Sequence, residues 1–408
     1  MTRYDVVVIG GGPAGMTASI FAKRSGGQVI LLEKMAKPGK KLLITGAGRC
    51  NLLNEKLDPS FYKPEARALV KAVFENFGRE RILGFFKELG LYVASDETGR
   101  MFPVTNQAAS VLKILELEMG RMKIPVKPGF DVRDIKVFPG GFRVGSSQGQ
   151  IIESSKVILC GGGRSYPALG ADGNAYGLAQ KLGHSVIDPV PSVVPLLVKD
   201  PWCHFLQGQK IRASVAVLCG GKPVKESRGE LLFTQYGLSG TAVLDVSDPV
   251  SILLHREHQK EVTLEADLLP FMTEKELEAE ISGRLKKNFS AEGLFEGLLP
   301  HKICHLIAKE INSRGDPGPL HSGRLAKMLK HRRFKAHGTR GWNEAEFTAG
   351  GIPASEIHED LRSKFQKGLY FAGEILDIQA ARGGYQLAWA WASGACAGRF
   401  SSHAGRGS

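Results

Sequence analysis

The chain has 408 residues, enough for two or three domains with a sizeable core. Its 43% hydrophobic and 23% charged residues are those of an ordinary soluble globular protein, and no apolar run approaches membrane-spanning length. The net charge of +13 is compatible with a nucleic-acid partner, with an anionic substrate, or simply with a basic proteome. The six cysteines contain no C-x-x-C pair, so we expect no metal site, no disulfides and a cytoplasmic location.

The N-terminal stretch predicts a dinucleotide-binding unit. A β-branched run at residues 6–9 indicates a buried strand, and Gly10, Gly12 and Gly15 follow it as a G-x-G-x-x-G turn. The first glycine allows a tight bend, the second lets backbone approach a pyrophosphate, and the third lets the next helix pack closely. That helix, at residues 14–24, would direct its N-terminal N–H groups at the phosphates.

A second strand is predicted at residues 29–32, and it ends at Glu33. The Glu33 carboxylate can accept hydrogen bonds from both ribose hydroxyls. An acid at this position argues against a 2′-phosphate, so the motif favours FAD or NAD over NADP.

Residues 37–54 form a segment rich in glycine and small polar residues, and its basic groups include Lys41 and Arg49. Such a segment is a poor helix or strand but a good cradle for phosphates and the edge of a flavin. The alternative is a surface loop. Because Arg49, Cys50 and Asn51 follow G-A-G directly, we interpret the segment as shaped for a ligand.

The pattern next predicts helices at residues 64–89 and 106–119 and a small antiparallel sheet at 129–152. A further buried strand is predicted at 156–163, and a helix from about Asn174. This strand–glycine–helix run lacks the full glycine spacing and a terminal acid. It therefore predicts no second nucleotide site.

Prolines mark a boundary near residue 191, after which residues 194–269 show short alternating strands, as in a small barrel or sandwich. The clearest of these strands are predicted at 211–219, 230–234 and 251–255. Residues 273–335 are predicted to be helical, with a turn at 315–319.

Buried strands and glycine turns return near Phe347, and a helix with small and aromatic faces follows. We therefore predict an α/β fold in which a Rossmann-like domain is built from residues 1–190 and 342–408. Residues 191–341 form an inserted domain with a β-rich part and a helical part.

Four separated motifs carry a resemblance to a known family: V-I-G-G-G-P-A-G-M, P-G-K-K-L-L-I-T-G-A-G-R-C-N, G-R-M-F-P, and T-A-G-G-I with G-L-Y-F-A-G-E-I-L-D. Over nearly its whole length the chain resembles the aminoacetone-oxidase or BaiN (YhiN-like) bacterial flavoproteins, of the two-dinucleotide-binding-domain type. The resemblance implies FAD bound in an extended pose between the N- and C-terminal parts of the nucleotide domain. It also implies that the insert is a substrate or cap domain.

The resemblance implies a set of cofactor-binding residues: Gly10, Gly12, Pro13, Ala14, Gly15, Glu33, Lys34, Lys41, Thr45, Gly46, Gly48, Arg49, Cys50, Asn51, Gly162, Gly373, Glu374, Asp377, Gly383, Gly384, Tyr385 and Gln386. In this assignment Glu33 holds the adenosine ribose, and Glu374 and Asp377 lie near the ribityl chain. The helix beginning near Gly384 directs its positive end at the flavin N1/C2 carbonyl edge.

The implied function is an FAD-dependent oxidoreductase acting on a small molecule by hydride transfer. Amine oxidation by oxygen and NAD(P)H-linked reduction of a conjugated ketone both stay open. Candidate catalytic residues, which would polarise the substrate, are Arg49, Tyr166, Arg382 and Tyr385, with Gln235 as a further candidate. Because only one complete fingerprint is present, NAD(P)H is expected as a transient donor at the flavin face, without a domain of its own.

Two alternative functions are a flavoprotein that binds or modifies tRNA or other nucleic acid, and a non-catalytic flavin-binding protein. The basic run at residues 324–340 would suit the first, but we interpret it as a solvated helical face. The run also has few interleaved aromatics. We therefore expect a small-molecule substrate and no nucleic-acid or membrane partner, and the oligomeric state stays open.

Overall fold

The computed structural model describes residues 3–313 and 321–403, so the turn expected at 315–319 lies outside the described residues. The chain divides into two units. Unit 1 comprises Met1–Pro189 and Phe347–Ser408, and unit 2 comprises Val190–Glu346. None of the described helices is both long and apolar enough to cross a membrane.

In chain order, the strands are β1 (Arg3–Ile9), β2 (Val29–Leu32), β3 (Leu53–Asn54), β4 (Val93–Ser95), β5 (Arg100–Pro103), β6 (Val126–Lys127), β7 (Val132–Phe138), β8 (Gly141–Ser146), β9 (Ile151–Leu159), β10 (Ile187–Ser192), β11 (Leu196–Val198), β12 (Lys210–Cys219), β13 (Lys222–Thr234), β14 (Gly237–Ser239), β15 (Val262–Asp267), β16 (Arg332–Thr339), β17 (Phe347–Gly351) and β18 (Leu369–Phe371). The α-helices are α1 (Pro13–Arg24), α2 (Arg67–Phe77), α3 (Arg79–Glu88), α4 (Ala108–Arg121), α5 (Asn174–Lys181), α6 (Pro201–Phe205), α7 (Thr241–Ser251), α8 (Glu274–Lys286), α9 (His301–Ser313), α10 (Ser322–Lys330) and α11 (Tyr385–His403).

Unit 1 is built on a seven-stranded sheet in the order β6-β2-β1-β9-β8-β7, with β18 also paired to β9. Strands β6, β2, β1, β9 and β18 run parallel, whereas β7 and β8 are antiparallel to their neighbours. Ligands of such sheets bind beyond the carboxyl ends of the parallel strands. The segments that follow β1, β2, β9 and β18 contain most of the predicted site residues.

Strand β9 corrects the predicted boundary between a small antiparallel sheet at residues 129–152 and a separate strand at 156–163. Residues 151–159 are one strand, and β7 and β8 extend the same sheet. The first half of β9 alternates in burial, whereas residues 157–159 are fully buried. The two halves therefore have different sequence periodicities, although they form one strand.

Helix α11 packs against α1 through small residues. A Cβ at Gly394 or at Gly398 would lie 2.4 Å from a backbone oxygen of α1, so only glycine allows this approach. The buried Trp389 donates its indole N–H to the Gly373 carbonyl at 3.0 Å, which ties α11 to the turn after β18. The buried helix that the sequence predicts is thus part of the support of the site.

The helix predicted at residues 64–89 is in fact two helices, α2 and α3. Gly78 separates them with an extended backbone (φ −84°, ψ −166°). The apolar positions continue at helical spacing across the break, so periodicity alone could not place it.

Unit 2 contains a closed antiparallel barrel in the order β11-β14-β13-β12-β15-β16. The barrel interior and helices α7 to α10 share one hydrophobic core, which includes Phe233, Val246, Leu264 and Ile307. The sequence pattern was compatible with a small barrel or a sandwich, and the structure confirms the barrel.

Two predicted elements of unit 2 are wrong. The strand expected at residues 251–255 is the end of α7 and a π-helical turn, Ile252–Arg256, in which Leu253 and Leu254 are buried. The helical region expected to reach residue 335 ends with α10, and Arg332–Thr339 is the strand that closes the barrel. Short apolar runs do not distinguish a buried helix from a strand.

The basic run at residues 324–340 is extensively ion-paired within unit 2. Its pairs are Lys330 with Asp267, His331 with Glu265 and Glu274, Arg332 with Asp200 and Glu310, Arg333 with Glu265, Lys335 with Glu261, and Arg340 with Glu344. Only its first part is helical. The expectation of a solvated helical face is therefore wrong for residues 332–339.

His184 is buried in unit 1 and is held in its neutral form. Its Nδ1 lies 2.8 Å from Glu356 Oε2 and its Nε2 lies 2.6 Å from Ser363 Oγ. The Ser363 oxygen already accepts from the N–H groups of Phe365 and Gln366, so it donates its own proton to the imidazole. Burial lowers the pKa of His184 and outweighs the opposing effect of the hydrogen bond to Glu356.

We expect this imidazole to make the stability of the protein depend on pH. Because its folded pKa lies below its unfolded value of about 6.5, its contribution is present above that pH and is lost as the pH falls. The free energy of unfolding should fall by at most about 1.4 kcal/mol per pH unit, the limit for one proton. Urea unfolding of His184→Gln between pH 7 and 5 should show a shallower slope, whereas His358→Gln, at an exposed site, should keep the wild-type slope. Equal slopes in all three proteins would rule out this role for His184.

Candidate functional site

The three glycines of the fingerprint have distinct environments at the carboxyl end of β1. Gly10 has a φ of +105°, and a Cβ there would lie 2.4 Å from the Cys160 carbonyl oxygen. A Cβ at Gly15 would lie 1.8 Å from the Gly10 carbonyl oxygen, so α1 packs directly on the turn. A Cβ at Gly12 would meet no described atom within 4 Å. Gly10 and Gly15 thus shape the turn, and Gly12 faces open space.

The N-terminus of α1 is open toward that space. Pro13 occupies the first helical position, and no side chain of the described residues caps the helix. The first turn, P-A-G-M, carries no acidic residue. The free N–H groups of this turn and the helix dipole therefore favour an anionic group beside Gly12.

Glu33 lies directly after β2 and is 8% exposed. Its Oε2 accepts from the Gly11 N–H at 2.6 Å, and its Oε1 accepts from the Met35 N–H at 2.7 Å. A carboxylate has about four acceptor positions, so two are left for ribose hydroxyls. The sequence did not identify Gly11, although it is the middle glycine of G-G-G and leaves room for this carboxylate.

Lys41 and Glu374 are brought together although they are more than 300 residues apart in the chain. Lys41 Nζ lies 2.7 Å from Glu374 Oε2 and 2.5 Å from Ser165 Oγ. Glu374 Oε1 accepts from the Thr348 N–H at 3.0 Å, and Thr348 Oγ1 accepts from the Ser165 N–H at 3.2 Å. These contacts join the segments that follow β2, β9 and β18. Ser165 was not identified from the sequence, and Thr348, which begins the T-A-G-G-I motif, was given no role there.

Asp377 is almost completely buried and is ion-paired with Lys63. Its Oδ1 also accepts from the Gly350 N–H at 3.0 Å. Lys63 was not identified from the sequence, because it belongs to none of the four motifs.

Tyr176 on α5 is 6% exposed, and its hydroxyl has no hydrogen-bond partner among the described residues. Burial raises the pKa of this hydroxyl, and the nearby carboxylates of Glu374 and Asp377 raise it further. A buried hydroxyl without a partner is costly, so it indicates a place where a ligand oxygen can bind.

The segment after Lys41 presents an exposed surface. Gly46, Gly48 and Arg49 are exposed, and the Arg49 guanidinium lies 4.6 Å from the centre of the Phe102 ring. Beside them Leu43 and Ile44 are 39% and 40% exposed. This surface combines aliphatic groups with one cation.

Two predicted residues of this segment have structural surroundings. Cys50 is fully buried, and burial raises the pKa of its thiol to about 12, against a weaker opposing hydrogen bond from Thr45. The Cys50 thiol is therefore protonated and is not a nucleophile. The Thr45 hydroxyl donates to the Leu42 carbonyl at 2.6 Å and holds the short turn before it.

The start of α11 lies against the end of the same segment. A Cβ at Gly384 would lie 2.4 Å from the Leu53 carbonyl oxygen, and the Asn51 amide oxygen accepts from the Gly384 N–H at 3.1 Å. Asn54 Nδ2 donates to the Gly383 carbonyl at 2.9 Å. These contacts position the N-terminus of α11 within unit 1.

The other predicted residues are distributed as follows. Gly373 lies against Ala14 of α1, since a Cβ there would be 2.8 Å from that side chain. Gly162 has a φ of +73° in the segment after β9. Lys34 is ion-paired with Asp172 at 2.6 Å. Gln386 Oε1 accepts from the Ala380 N–H at 3.3 Å.

The candidate catalytic residues differ in their surroundings. Tyr385 is 5% exposed and its ring stacks on Phe61, with centroids 4.3 Å apart. Tyr166 has a left-handed backbone (φ +58°), which is uncommon outside glycine and is frequent at functional sites. Arg382 is half-buried before α11. Gln235 lies in unit 2, exposed in the turn between β13 and β14.

Unit 1 therefore fits a dinucleotide. The open helix N-terminus at Gly12 suits a pyrophosphate. The Glu33 carboxylate, directly after the neighbouring strand β2, suits an adenosine ribose. The buried hydroxyl of Tyr176, near Glu374 and Asp377, offers an unused donor to the remainder of such a cofactor.

Comparison with known proteins agrees with this arrangement. A family model described as the HI0933-like protein Rossmann domain matches residues 4–400. The 3-dehydro-bile acid delta(4,6)-reductase of Clostridium scindens is 36% identical over 96% of this chain and 97% of the reductase. The ribosomal RNA dihydrouridine synthase of Escherichia coli K12 is 29% identical over 97% of this chain and 98% of the synthase.

A solved structure of 3-ketosteroid delta1-dehydrogenase from Sterolibacterium denitrificans, in complex with 1,4-androstadiene-3,17-dione, has a similar fold. Its TM-score is 0.54 at 14% identity, and the match covers 99% of this chain and 100% of that chain. At this identity the likeness concerns the fold alone. The predicted Rossmann-like α/β fold with a barrel and helices is confirmed, as is the resemblance to the BaiN and YhiN-like proteins. The chain belongs to the HI0933-like family of Rossmann-domain proteins.

Proposed function

We propose that this protein is an FAD-dependent oxidoreductase that reduces a carbon–carbon double bond conjugated with a carbonyl group in a small molecule. The observation that carries the cofactor assignment is the uncapped N-terminus of α1, open at Gly12 and beside the Glu33 carboxylate. FAD, when bound, supplies two-electron transfer to the substrate. Glu33 binds the adenosine ribose, and the first turn of α1 binds the pyrophosphate.

The names of the two relatives support reduction over amine oxidation. One is named for reducing the delta(4,6) bonds of a 3-dehydro bile acid, and the other for forming dihydrouridine in ribosomal RNA. Both names describe the saturation of a double bond conjugated with a carbonyl group. The carbonyl needs a hydrogen-bond donor or a cation to stabilise the negative charge that develops on its oxygen.

Arg49 is our candidate for a contact with the substrate. The exposed aliphatic side chains of Leu43 and Ile44 belong to the same segment, and the Arg49 guanidinium lies over the Phe102 ring. Such a surface fits an apolar body with an anionic end, as a bile acid has. We propose Tyr166 and Arg382 as further contacts and assign Tyr385 to packing.

We propose NAD(P)H as the electron donor, bound transiently at the same site as the substrate. The segment after β9 lacks the full glycine fingerprint and a terminal acid, which supports the absence of a separate nicotinamide site. All six cysteines lie in the described part of the chain and form no disulfide there. This supports a reducing, cytoplasmic location.

A second candidate function is the reduction of uridine in ribosomal RNA. The relative from E. coli and the net charge of +13 favour it. Unit 2 contributes little to that charge, with 22 lysines and arginines against 19 aspartates and glutamates, and its basic run is ion-paired. An RNA footprint would therefore have to lie on unit 1.

The experiment that tests the cofactor and the donor uses the full chain purified without added flavin. We expect heat denaturation to release FAD, and not FMN, at about one per chain. Under argon, NADH or NADPH should bleach the visible flavin absorption, whereas aminoacetone and other primary amines should leave it unchanged. Bleaching by amines alone would identify an amine oxidase, and protein that takes up no FAD on reconstitution would contradict the proposal.

A further inference from the structure

Two histidines and two glutamates of unit 2 meet at the start of α9. His301 and His305 are four residues apart on this helix, so their imidazoles lie on one face. Glu292 and Glu296 belong to the turns that precede α9. Glu292 Oε1 lies 3.3 Å from His305 Nδ1 and 3.7 Å from His301 Nε2. One carboxylate oxygen thus approaches two imidazole nitrogens.

Both distances from Glu292 to an imidazole are close to those between ligands of a tetrahedral metal ion, and Glu292, Glu296 and His301 offer ligand atoms within 4.8 Å of one another. Zn²⁺ binds histidine nitrogen and carboxylate oxygen at about 2.0–2.2 Å, which places neighbouring ligand atoms of a tetrahedron about 3.3–3.6 Å apart. The exposed His301 and His305 side chains would have to rotate to bring one nitrogen of each to a single ion. His301, His305 and Glu292 would supply three ligands and leave a fourth position for water.

Glu296 is a second carboxylate, and it is placed to orient the His301 imidazole. Its Oε1 lies 2.7 Å from His301 Nδ1, so that nitrogen donates its proton to Glu296. The opposite nitrogen, Nε2, is then left as the one that faces Glu292. Metal-binding histidines usually donate their other N–H to a carboxylate in this way.

We propose that His301, His305 and Glu292 form a surface binding site for a divalent transition-metal ion, best matched by Zn²⁺, with Glu296 orienting His301. The mixed imidazole and carboxylate set favours Zn²⁺ over Mg²⁺ or Ca²⁺, which prefer oxygen ligands only. The site connects the turns at residues 292–296 to α9 and belongs to unit 2, whereas the residues assigned to FAD belong to unit 1. The sequence carries a signal for it, H-x-x-x-H at residues 301–305. The expectation of no metal site rested on cysteine spacing alone, which is independent of this pattern.

The alternative is a pair of surface histidine–glutamate ion pairs, and calorimetry distinguishes the two. Chelator-treated, tag-free full-length protein is titrated with ZnSO₄. We expect about one Zn²⁺ per chain at micromolar or tighter affinity, and at least a hundredfold loss in His301→Ala and in His305→Ala. Glu296→Gln should weaken binding by about 10–100-fold, because it removes the orienting carboxylate.

His331→Ala is the matched control. This imidazole also lies between two carboxylates of unit 2, Glu265 and Glu274, but offers a single nitrogen ligand. The His331→Ala variant should therefore bind Zn²⁺ as tightly as the wild type. The melting temperatures of the zinc-free variants and the zinc-free wild type check that loss of binding is not loss of fold. They should be nearly equal, because His301 and His305 are 77% and 56% exposed. No binding by the wild type, or equal binding by the wild type and His301→Ala, would overturn the proposal.

Discussion

Replacing Gly15 with alanine is expected to destabilise unit 1 by about 3 kcal/mol or more, even without cofactor. The new Cβ would lie 1.8 Å from the Gly10 carbonyl oxygen. Because the clash is with backbone, no side-chain rotation can relieve it, and α1 must move away from β1. The free energy of unfolding of the apo-protein, measured by urea denaturation, checks this expectation.

Gly12→Ala is the matched variant within the same fingerprint, and its expected effect is the opposite. Its Cβ meets no described atom within 4 Å, and the Gly12 backbone (φ −77°, ψ −175°) suits alanine, so apo stability should change by less than about 0.5 kcal/mol. FAD affinity should nevertheless fall about a hundredfold, or about 2.7 kcal/mol, because the methyl group occupies the space of the pyrophosphate. If Gly12→Ala bound FAD as tightly as the wild type, the pyrophosphate would not lie beside Gly12.

The fingerprint could be predicted because its roles depend on local geometry. Each of Gly10, Gly12 and Gly15 acts within a strand, a turn and a helix that are adjacent in the chain, and Glu33 ends the next strand. Periodicity also predicted β2 and α5 closely. The same local pattern placed the open space beside Gly12, although it could not show that Glu33 also holds the Gly11 N–H.

The residues that could not be predicted act over long sequence separations. Lys63 pairs with Asp377, 314 residues away in the chain. The Thr348 hydroxyl oxygen accepts from the N–H of Ser165, 183 residues away. No motif contains Lys63, and threonine and serine are common in turns. Such partners become visible only once the strand order is known.

The errors in unit 2 have a similar cause. Residues 251–255 are apolar enough for a strand, but Leu253 and Leu254 are buried at the end of a helix. The strand β16 is rich in basic residues because its exposed face pairs with Glu265 on β15 and with Glu261 just before β15. A charge run in the sequence therefore indicated a helical face, although its partners lie across a sheet.

The central claim is that the protein, with FAD bound, reduces a double bond conjugated with a carbonyl group. A single-turnover measurement under argon tests it most directly: the flavin is reduced with one equivalent of dithionite and then mixed with an acceptor. The acceptors are a 3-oxo bile acid with double bonds at positions 4 and 6, its saturated 3-oxo analogue, and unmodified ribosomal RNA.

We expect the conjugated bile acid to restore the oxidised flavin spectrum at least a hundredfold faster than either other acceptor, and its product to gain two hydrogen atoms by mass spectrometry. The saturated ketone controls for reduction of the carbonyl itself. Arg49→Ala should slow reoxidation by the acid more than by its methyl ester, because only the acid presents an anion to the guanidinium. Reoxidation by RNA alone would support the second candidate function and contradict the assignment of a small-molecule substrate. A flavin that stays reduced with every conjugated acceptor would contradict the central claim.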